Sequence, residues 1–301
     1  MDIVTHFLQA ASLLLFPPLL PGVINKTKAW FAGRKGPPLL QPYFDIYKLL
    51  RKRMVISTTT TWIFQAAPIV TLVATALAGL LVPLGPFAAP IHFAGDMILF
   101  VYLFGLARFF TTAAALDTGS SFEGMGASRE VTFACISEGA LVMGLLVLVR
   151  LSHSISLTPM LLAPLTHSPQ APVLMMAAGL FVVLLAENAR IPVDDPNTHL
   201  ELTMIHEVMV LDYSGPLLGI INYASAVRLF VLSAVVLHLV APFQTVIPLV
   251  DWAVFMAEMV AMAGVIGTLE SVMARLQLRH VPTLLVAAGL LCGLGFVLMV
   301  R

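Results

Sequence analysis

Long apolar runs alternate with shorter polar segments along the whole chain. A helix needs about 20 mostly apolar residues to cross the hydrocarbon core of a membrane. Eight runs approach this length, at residues 6–24, 63–84, 97–115, 131–150, 172–190, 227–247, 253–270 and 281–300. Because the runs are continuous and not alternating, helices are favoured over a membrane β-barrel. The pattern predicts an all-α polytopic membrane protein with about eight transmembrane helices in a single membrane domain, 1–301.

Composition supports the membrane assignment. Of the 301 residues, 59% are hydrophobic and 11% are charged, and the mean hydropathy is +0.96, whereas a soluble domain carries about 25% charged residues. Sixteen basic and sixteen acidic residues cancel, so overall charge does not indicate a nucleic-acid partner. Cys135 and Cys292 lie far apart in apolar runs without metal-binding spacing, and we expect both to be small core residues. No metal or other cofactor is therefore expected on this chain.

The basic residues are concentrated on one side of the predicted membrane. Thirteen of the sixteen Lys and Arg residues lie in or beside loops one, three, five and seven, and eight of these fall within 25–62. The positive-inside rule then predicts that these loops are cytoplasmic and that both termini face outward. No basic residue precedes the first run, so we expect a retained first span and not a cleaved signal peptide.

The first cytoplasmic loop carries an apolar stripe beside its charges. Residues 36–38 (Gly-Pro-Pro) break a helix, and Tyr43, Ile46, Tyr47 and Leu50 then follow at helical spacing. This pattern predicts an amphipathic helix at the membrane interface. A basic flank that only sets topology would explain the charges but not the stripe.

Two glutamates lie inside predicted spans. Glu138 is about seven residues into the fourth span, and Glu187 lies near the inner end of the fifth. A charged group at the centre of a span costs about 2.5–3.5 kcal/mol on insertion scales. Since desolvation favours the neutral acid, both are candidates for proton exchange within the membrane. A static ion pair, for example with Arg108 or Arg190, is the alternative.

The fifth loop continues this charge beyond the membrane. Pro192 and Pro196 end the helix, and acidic or His side chains then follow at Asp194, Asp195, His199, Glu201, His206, Glu207 and Asp212. Such a loop is suited to pass protons from the cytoplasm toward Glu187. A simply solvated loop is the alternative. Metal binding is not favoured, because His199 and His206 lack the usual short ligand spacing.

Several segments resemble signatures of a known family. RKGPPLLQPYFDIYKLLRK (34–52) resembles the first signature of the H-subunit family of respiratory complex I, and AENARIPVDDPNTHLEL (186–202) is similar to the second. LDTGSSFEGMGASRE (116–130), DYSG (212–215) and LESVMARLQL (269–278) are more similar to the membrane subunit of group 4 NiFe hydrogenases, including formate hydrogenlyase. The second signature departs from the family, since Val193 replaces the usual Phe and Asn197 and His199 replace two acids.

The resemblance implies a membrane-anchor and ion-coupling subunit of a hydrogenase-type complex in a bacterial or archaeal cytoplasmic membrane. The subunit would itself be non-catalytic. Expected partners are hydrogenase-like large and small subunits, an iron–sulfur protein and antiporter-like membrane subunits. NiFe and iron–sulfur clusters would lie in the partners, and quinone binding is left open.

The resemblance and the charge pattern together give two sets of expected site residues. The expected proton path consists of Glu138, Glu187, Arg190, Asp194, His199, Glu201, Glu207, Asp212 and Glu270. The expected residues for docking of the hydrophilic arm or for a cavity are Arg34, Gly36, Pro37, Gln41, Asp45, Lys48, Arg129 and Glu130.

Two other functions stay open at this stage. A quinone-site subunit of a complex I-like NADH-quinone oxidoreductase would use the first-loop helix and the fifth loop to frame a quinone tunnel. The second alternative function is that of a stand-alone secondary transporter. Transporters often contain paired broken helices in two repeated halves, and no such pairing is visible in this sequence.

Overall fold

The computed structural model describes residues 2–162, 170–194, 205–241 and 247–300. Within these ranges the chain forms α-helices, two short 3₁₀ helices (Glu207–Val210 and Leu278–His280) and no β-strand. The α-helices are α1 (Asp2–Leu15), α2 (Leu19–Phe31), α3 (Gln41–Leu50), α4 (Trp62–Leu81), α5 (Asp96–Asp117), α6 (Ser121–Ser152), α7 (Leu157–Leu162), α8 (Gln170–Glu187), α9 (Gly215–Val240), α10 (Pro248–Val272) and α11 (Val281–Val300). The predicted all-α fold is confirmed.

The helices account for every predicted apolar run. Six helical segments have the length and composition of a membrane span. They are α4, α5, α6, α9, α10 and Leu278–Met299, which contains most of α11. α1 and α2 bend by 47° relative to one another and count as a seventh span if taken together. The bend follows from Pro17 and Pro18, which cannot continue a helix. The remaining predicted run forms α8, a shorter apolar helix. The chain is therefore a multi-pass membrane protein.

Two helices begin well before their predicted spans. α6 starts at Ser121 and not at 131, and α9 starts at Gly215 and not at 227. With 32 residues, α6 is about 48 Å long and extends beyond a hydrocarbon core of about 30 Å. Its extra turns carry Glu123 and Glu130, which hydropathy assigns to a loop but which are buried against other parts of the protein.

α9 is the central helix of the molecule. Between Val227 and Leu239 nearly every residue is buried, which is typical of a helix that is apolar all round and surrounded by protein. It packs against α3, α4 and α8, while α6 and α8 both pack against α11 and α2 packs against α10. This arrangement brings α5, α6, α8 and α9 together around the charged groups described below.

The predicted amphipathic helix is α3, which lies against α9. A Cβ added at Gly219 would lie 3.2 Å from Leu49 Cβ and 3.6 Å from the carbonyl oxygen of Ile46. Tyr47 and Leu50, by contrast, are exposed. One part of α3, at Ile46 and Leu49, therefore contacts α9. Another part, at Tyr47 and Leu50, lies on the outer surface of the protein.

The two cysteines differ in their surroundings. Cys292 is buried, as predicted, whereas Cys135 is exposed on α6. The prediction for Cys135 was wrong because an apolar run does not reveal which face of a helix points out of the protein.

Candidate functional site

Arg108 on α5 binds carboxylates from two other helices. Its Nη1 donates to Glu138 on α6, and its Nη2 donates to Glu187 Oε2 on α8 at 2.5 Å. Its Nε lies 3.3 Å from Oε1 of Glu130, also on α6. The planar guanidinium with five N–H donors can serve several carboxylates at once. We call Arg108, Glu130, Glu138 and Glu187 the Arg108 cluster.

Three further polar residues surround the Arg108 cluster. Ser137 Oγ donates to Glu187 Oε1, and Arg228 Nη1 on α9 donates to the backbone oxygen of Glu187 at 3.3 Å. His206 Nε2 lies 3.4 Å from Glu130 Oε2. Glu130 and Glu187 are buried, whereas the Glu138 side chain is 37% exposed in this chain. The cluster thus has one member that faces outward.

A cavity of about 370 Å³ lies beside the Arg108 cluster. Its polar wall includes Glu187, Arg190, His206, Glu207 and Arg228. Its other walls come from the α1–α2 bend, from α3 with Asp45 and Ile46, from α4 with Ala67, Pro68 and Thr71, and from α9. Because Glu187 belongs to both the cluster and the cavity wall, the cluster is open to a space large enough for water or a small ligand.

Glu270 forms a second buried ionic group. Its Oε2 on α10 lies 2.8 Å from Lys28 Nζ on α2 in an ion pair, and its Oε1 accepts from Arg190 Nη1 at 3.5 Å. Arg190 also lines the cavity. The predicted residues Arg190 and Glu270 are therefore brought together, but in a group separate from Arg108.

Asp194 joins the two ends of the fifth loop. Its Oδ2 accepts from the backbone N–H groups of Ile205 and His206, each at 3.1 Å, and Arg275 Nη2 lies 3.3 Å from Oδ1. The side chain is 1% exposed. Asp194 thereby positions His206, which in turn contacts Glu130. Its membership of the proton path stays a prediction.

The DYSG segment ties α9 to its neighbours. The backbone N–H of Asp212 donates to Glu123 Oε1 at 3.0 Å, while the Asp212 side chain is exposed. Tyr213 stacks on Phe64 with ring centroids 4.0 Å apart and donates to the Phe64 carbonyl oxygen at 2.8 Å. Burial, with the nearby Glu123 charge, raises the pKa of Tyr213, so the phenol keeps the proton that this bond needs. The structure brings no carboxylate of the Arg108 cluster to Asp212.

The predicted docking residues of the first loop lie apart from the cluster. Arg34, Gly36 and Pro37 are exposed between α2 and α3 and do not line the cavity. Gln41 Nε2 donates to Asp45 Oδ1 at 2.8 Å, and of these two only Asp45 lines the cavity. These residues are available on the loop surface for a partner, and that role stays a prediction.

The remaining predicted residues fall in different places. Lys48 is exposed, and Arg129 Nη2 lies 3.0 Å from Met125 Sδ on the same helix. Glu130 belongs to the Arg108 cluster. His199 and Glu201 lie outside the described residues.

Arg108, Arg228 and His206 were absent from the predicted site residues. Arg108 was named only as an ion-pair partner of the two glutamates. A basic residue within an apolar run is, however, itself an indication of a functional site. Arg228 lies at the predicted start of the sixth span, 227, where a basic residue is expected to belong to the flanking loop. Among the described residues, no group of three or more His, Cys, Asp and Glu side chains could hold a metal ion.

Comparison with known proteins identifies the family. Residues 4–301 match the NADH dehydrogenase family. Hydrogenase-4 component C of Escherichia coli is 33% identical over 237 residues, which cover 78% of this chain and 74% of that protein. Formate hydrogenlyase subunit 4 of Escherichia coli is 30% identical over 311 residues, covering 98% and 96%. A chain of the membrane-bound sulfane sulfur reductase (MBS), an archaeal respiratory membrane complex, shares the fold with a TM-score of 0.84, at 20% identity and 99% coverage of both chains. The chain therefore belongs to the NADH dehydrogenase family.

Proposed function

We propose that this chain is the membrane-anchor and ion-coupling subunit of a multi-subunit hydrogenase-type complex similar to formate hydrogenlyase. Electron transfer in a hydrophilic arm would be linked through this subunit to proton translocation. The partners would be hydrogenase-like large and small subunits, an iron–sulfur protein and antiporter-like membrane subunits, and NiFe and iron–sulfur clusters would lie in those partners. The complex would reside in a bacterial or archaeal cytoplasmic membrane. The relatedness to hydrogenase-4 component C and formate hydrogenlyase subunit 4 supports this assignment.

The charge balance of the Arg108 cluster carries the proposal. Glu130, Glu138 and Glu187 bring three negative charges when ionised, whereas Arg108 and Arg228 bring two positive charges. A net charge in low-dielectric surroundings is costly, so one proton bound within this set of five groups would balance its charge. Such a group can take up and release a proton inside the membrane.

The positions of the cluster members define a direction for proton movement. Glu187 faces the cavity together with Arg190, His206 and Glu207, so protons would enter there. The Glu138 side chain is the exposed member, and an adjoining membrane subunit would receive the proton from it. The route would run from the cavity through Glu187 and across the Arg108 cluster to Glu138.

Proton translocation by the intact complex tests this route. The complex is reconstituted into vesicles with Glu187→Gln or Glu138→Gln, because glutamine keeps the shape of the side chain and removes the titrating group. We expect most of the proton translocation to be lost while most of the hydrogen-evolving activity of the partner subunits remains. Internal pH and hydrogen production are measured on the same vesicles.

Glu258→Gln is the matched control for these variants. Glu258 is a half-buried acid on α10 and does not belong to the Arg108 cluster. Translocation by this control should equal that of the unchanged complex. Normal translocation by both cluster variants would remove Glu138 and Glu187 from the mechanism.

A quinone site is the second candidate function. The cavity of about 370 Å³ falls within the range of about 300–1,000 Å³ that is typical of small-molecule sites. Its walls combine apolar and Thr side chains from α4 with the charged groups near Glu187, a combination suited to a ring with polar substituents.

Narrowing the cavity distinguishes the two candidates. Ser225 lines the cavity from α9 and is exposed, so Ser225→Phe would fill space without disturbing buried packing. If quinone is the electron acceptor, quinone reduction by the complex should fall. Hydrogen evolution without any quinone reduction, unchanged by Ser225→Phe, would exclude a quinone site.

A further inference from the structure

Two shallow depressions meet on the surface where α2 packs against α10. The first has a volume of about 560 Å³ and is lined by Lys26, Thr27, Trp30, Arg34 and Lys35. The second has a volume of about 540 Å³ and is lined by Thr27 and by α10 residues between Ala261 and Met273. Since Thr27 lines both depressions, they form one continuous surface, basic at one end and apolar at the other. We call the two parts the basic mouth and the apolar groove.

The basic mouth carries positive charge without a counterion in the part of the chain that the structure describes. Lys26 Nζ donates to the backbone oxygen of Lys35 at 2.7 Å, which holds the two basic residues together. Among the described residues, no carboxylate lies within 4.0 Å of the charged groups of Lys26, Arg34 or Lys35. Lys28 points elsewhere, to the buried Glu270. Clustered Lys and Arg beside a membrane attract anionic headgroups.

The apolar groove lies toward the hydrocarbon side of the same surface. From Ala261 to Met273 it follows α10 for about 18 Å. A Cβ at Gly264 would meet nothing within 4 Å, and Val265 and Val272 at the groove are exposed. Trp30, at the mouth, is 75% exposed, and Trp is enriched at the membrane–water interface. The mouth therefore lies at the level of the headgroups and the groove at the level of the acyl chains.

We propose that this surface is a binding site for an anionic phospholipid. The phosphate occupies the basic mouth, and one acyl chain lies in the apolar groove along α10. Only an amphipathic anion matches both parts of the surface. A membrane helix from a partner would fill the groove but would leave the three cations of the mouth without a counterion. The surface shares Arg34 with the expected docking residues but includes no residue of the Arg108 cluster, so this proposal does not depend on the proposed proton route.

Lipid binding to the purified full-length chain tests the charge of the mouth. Native mass spectrometry would compare phosphatidylglycerol with phosphatidylcholine for the unchanged chain and for a Lys26→Gln, Lys35→Gln variant. Arg34 is kept, because docking of the hydrophilic arm was proposed for it. At about 1 kcal/mol for each basic residue, we expect roughly 30-fold weaker phosphatidylglycerol binding and little change for phosphatidylcholine. Lys52→Gln with Arg53→Gln, which removes the same charge after α3, is the control and should bind normally.

A second variant tests the groove. Gly264→Leu places a side chain in the groove where space is open, so the fold is retained while the acyl chain is excluded. Gly293→Leu on α11 is the control, since a Cβ there also meets nothing within 4 Å. We expect loss of bound phosphatidylglycerol only for Gly264→Leu.

Three results would overturn the proposal. Equal binding by the charge variant and its control would show that the mouth does not select anions. Binding of inorganic phosphate that depends on Lys26 and Lys35, with lipid binding unaffected by Gly264→Leu, would show a phosphate site without a lipid. Loss of a membrane subunit from the intact complex on Gly264→Leu, with lipid binding retained, would assign the groove to a partner helix.

Discussion

Arg108 shows how one side chain organises a buried site. Its guanidinium links α5 to α8, although Arg108 and Glu187 are 79 residues apart in the sequence. A lysine could not replace it, because a single ammonium lacks the planar fork with which Arg108 reaches Glu130, Glu138 and Glu187 from different nitrogen atoms. The stability of the site and the proposed proton exchange would therefore depend on the same residue.

The first prediction concerns the stability that Arg108 provides. Arg108→Gln leaves three carboxylates of the cluster without their shared donor, two of them buried. Breaking a buried ion pair by removing one partner costs about 3–5 kcal/mol, so thermal unfolding of the chain in detergent should shift to a clearly lower temperature.

Two further variants show whether this loss arises from the cluster. Arg108→Gln combined with Glu187→Gln should recover part of the stability, because one uncompensated charge is removed. Arg150→Gln should have a small effect, since Arg150 is an exposed arginine in the last turn of the same helix as Glu130 and Glu138. An unchanged unfolding temperature for Arg108→Gln would contradict the prediction.

Asp194 is a second residue that holds the site together, because it fixes the backbone at Ile205 and His206. Two backbone N–H groups and Arg275 converge on one buried carboxylate, and bonds to a charged acceptor contribute about 1.5–3 kcal/mol each. We predict that Asp194→Ala makes the amides of Ile205 and His206 exchange with deuterium at least about tenfold faster. Hydrogen-exchange mass spectrometry measures this.

The exposed Asp212 provides the control for Asp194. Asp212→Ala keeps the backbone N–H that donates to Glu123, so exchange at residues 205 and 206 should not change. Equal exchange in the Asp194→Ala and Asp212→Ala variants would mean that Asp194 does not hold the loop.

At the scale of elements, the apolar runs were sufficient to predict the helices but not their ends. α6 and α9 begin early because Glu123, Glu130 and Arg228 face protein and not lipid, and hydropathy cannot distinguish these two surroundings. The bend between α1 and α2 was detectable in principle from Pro17 and Pro18. The resemblance motifs were sufficient to predict the family.

The site itself was only partly predictable from the sequence. Glu138 and Glu187 were identified because acids in apolar runs are costly. Their common partner Arg108 and the separation of Glu270 into its own group depend on how helices rotate and pack, which spacing along one helix does not determine. His206 was visible as one of several titratable groups, but its contact with Glu130 depends on the bonds that Asp194 makes.

The contact between α2 and α10 depends on a close approach at Gly267. A Cβ there would lie 2.8 Å from Thr27 Cβ and 3.0 Å from the backbone oxygen of Ile24. We predict that Gly267→Ala costs about 1–3 kcal/mol through overpacking, measured as a lower unfolding temperature. Gly264→Ala, one turn away in open space, should be neutral or slightly stabilising, because alanine favours helix. Equal behaviour of the two variants would contradict this packing argument.

At the scale of the whole molecule, charge is distributed so that each side of the membrane has a distinct character. The loop before α4 and the turns that follow α8 and α10 carry most of the basic residues, whereas the segment between α6 and α7 carries none. The cavity and the basic mouth both include residues from the basic side. Proton entry, arm docking and lipid binding would thus share one face.

The orientation of the chain gives the last prediction. The background is a variant in which Cys135 and Cys292 are replaced by Ala. A single cysteine is then introduced either at Thr58, in the basic loop before α4, or at Ile155, between α6 and α7. Both positions are exposed. Because the positive-inside rule places the basic loops in the cytoplasm, a membrane-impermeant maleimide added to intact cells should label Ile155→Cys and not Thr58→Cys. Both should react once the membrane is permeabilised, which shows that each thiol is accessible. Labelling of Thr58→Cys alone in intact cells would invert the topology, and the cavity beside Glu187 would then open to the outside and not to the cytoplasm.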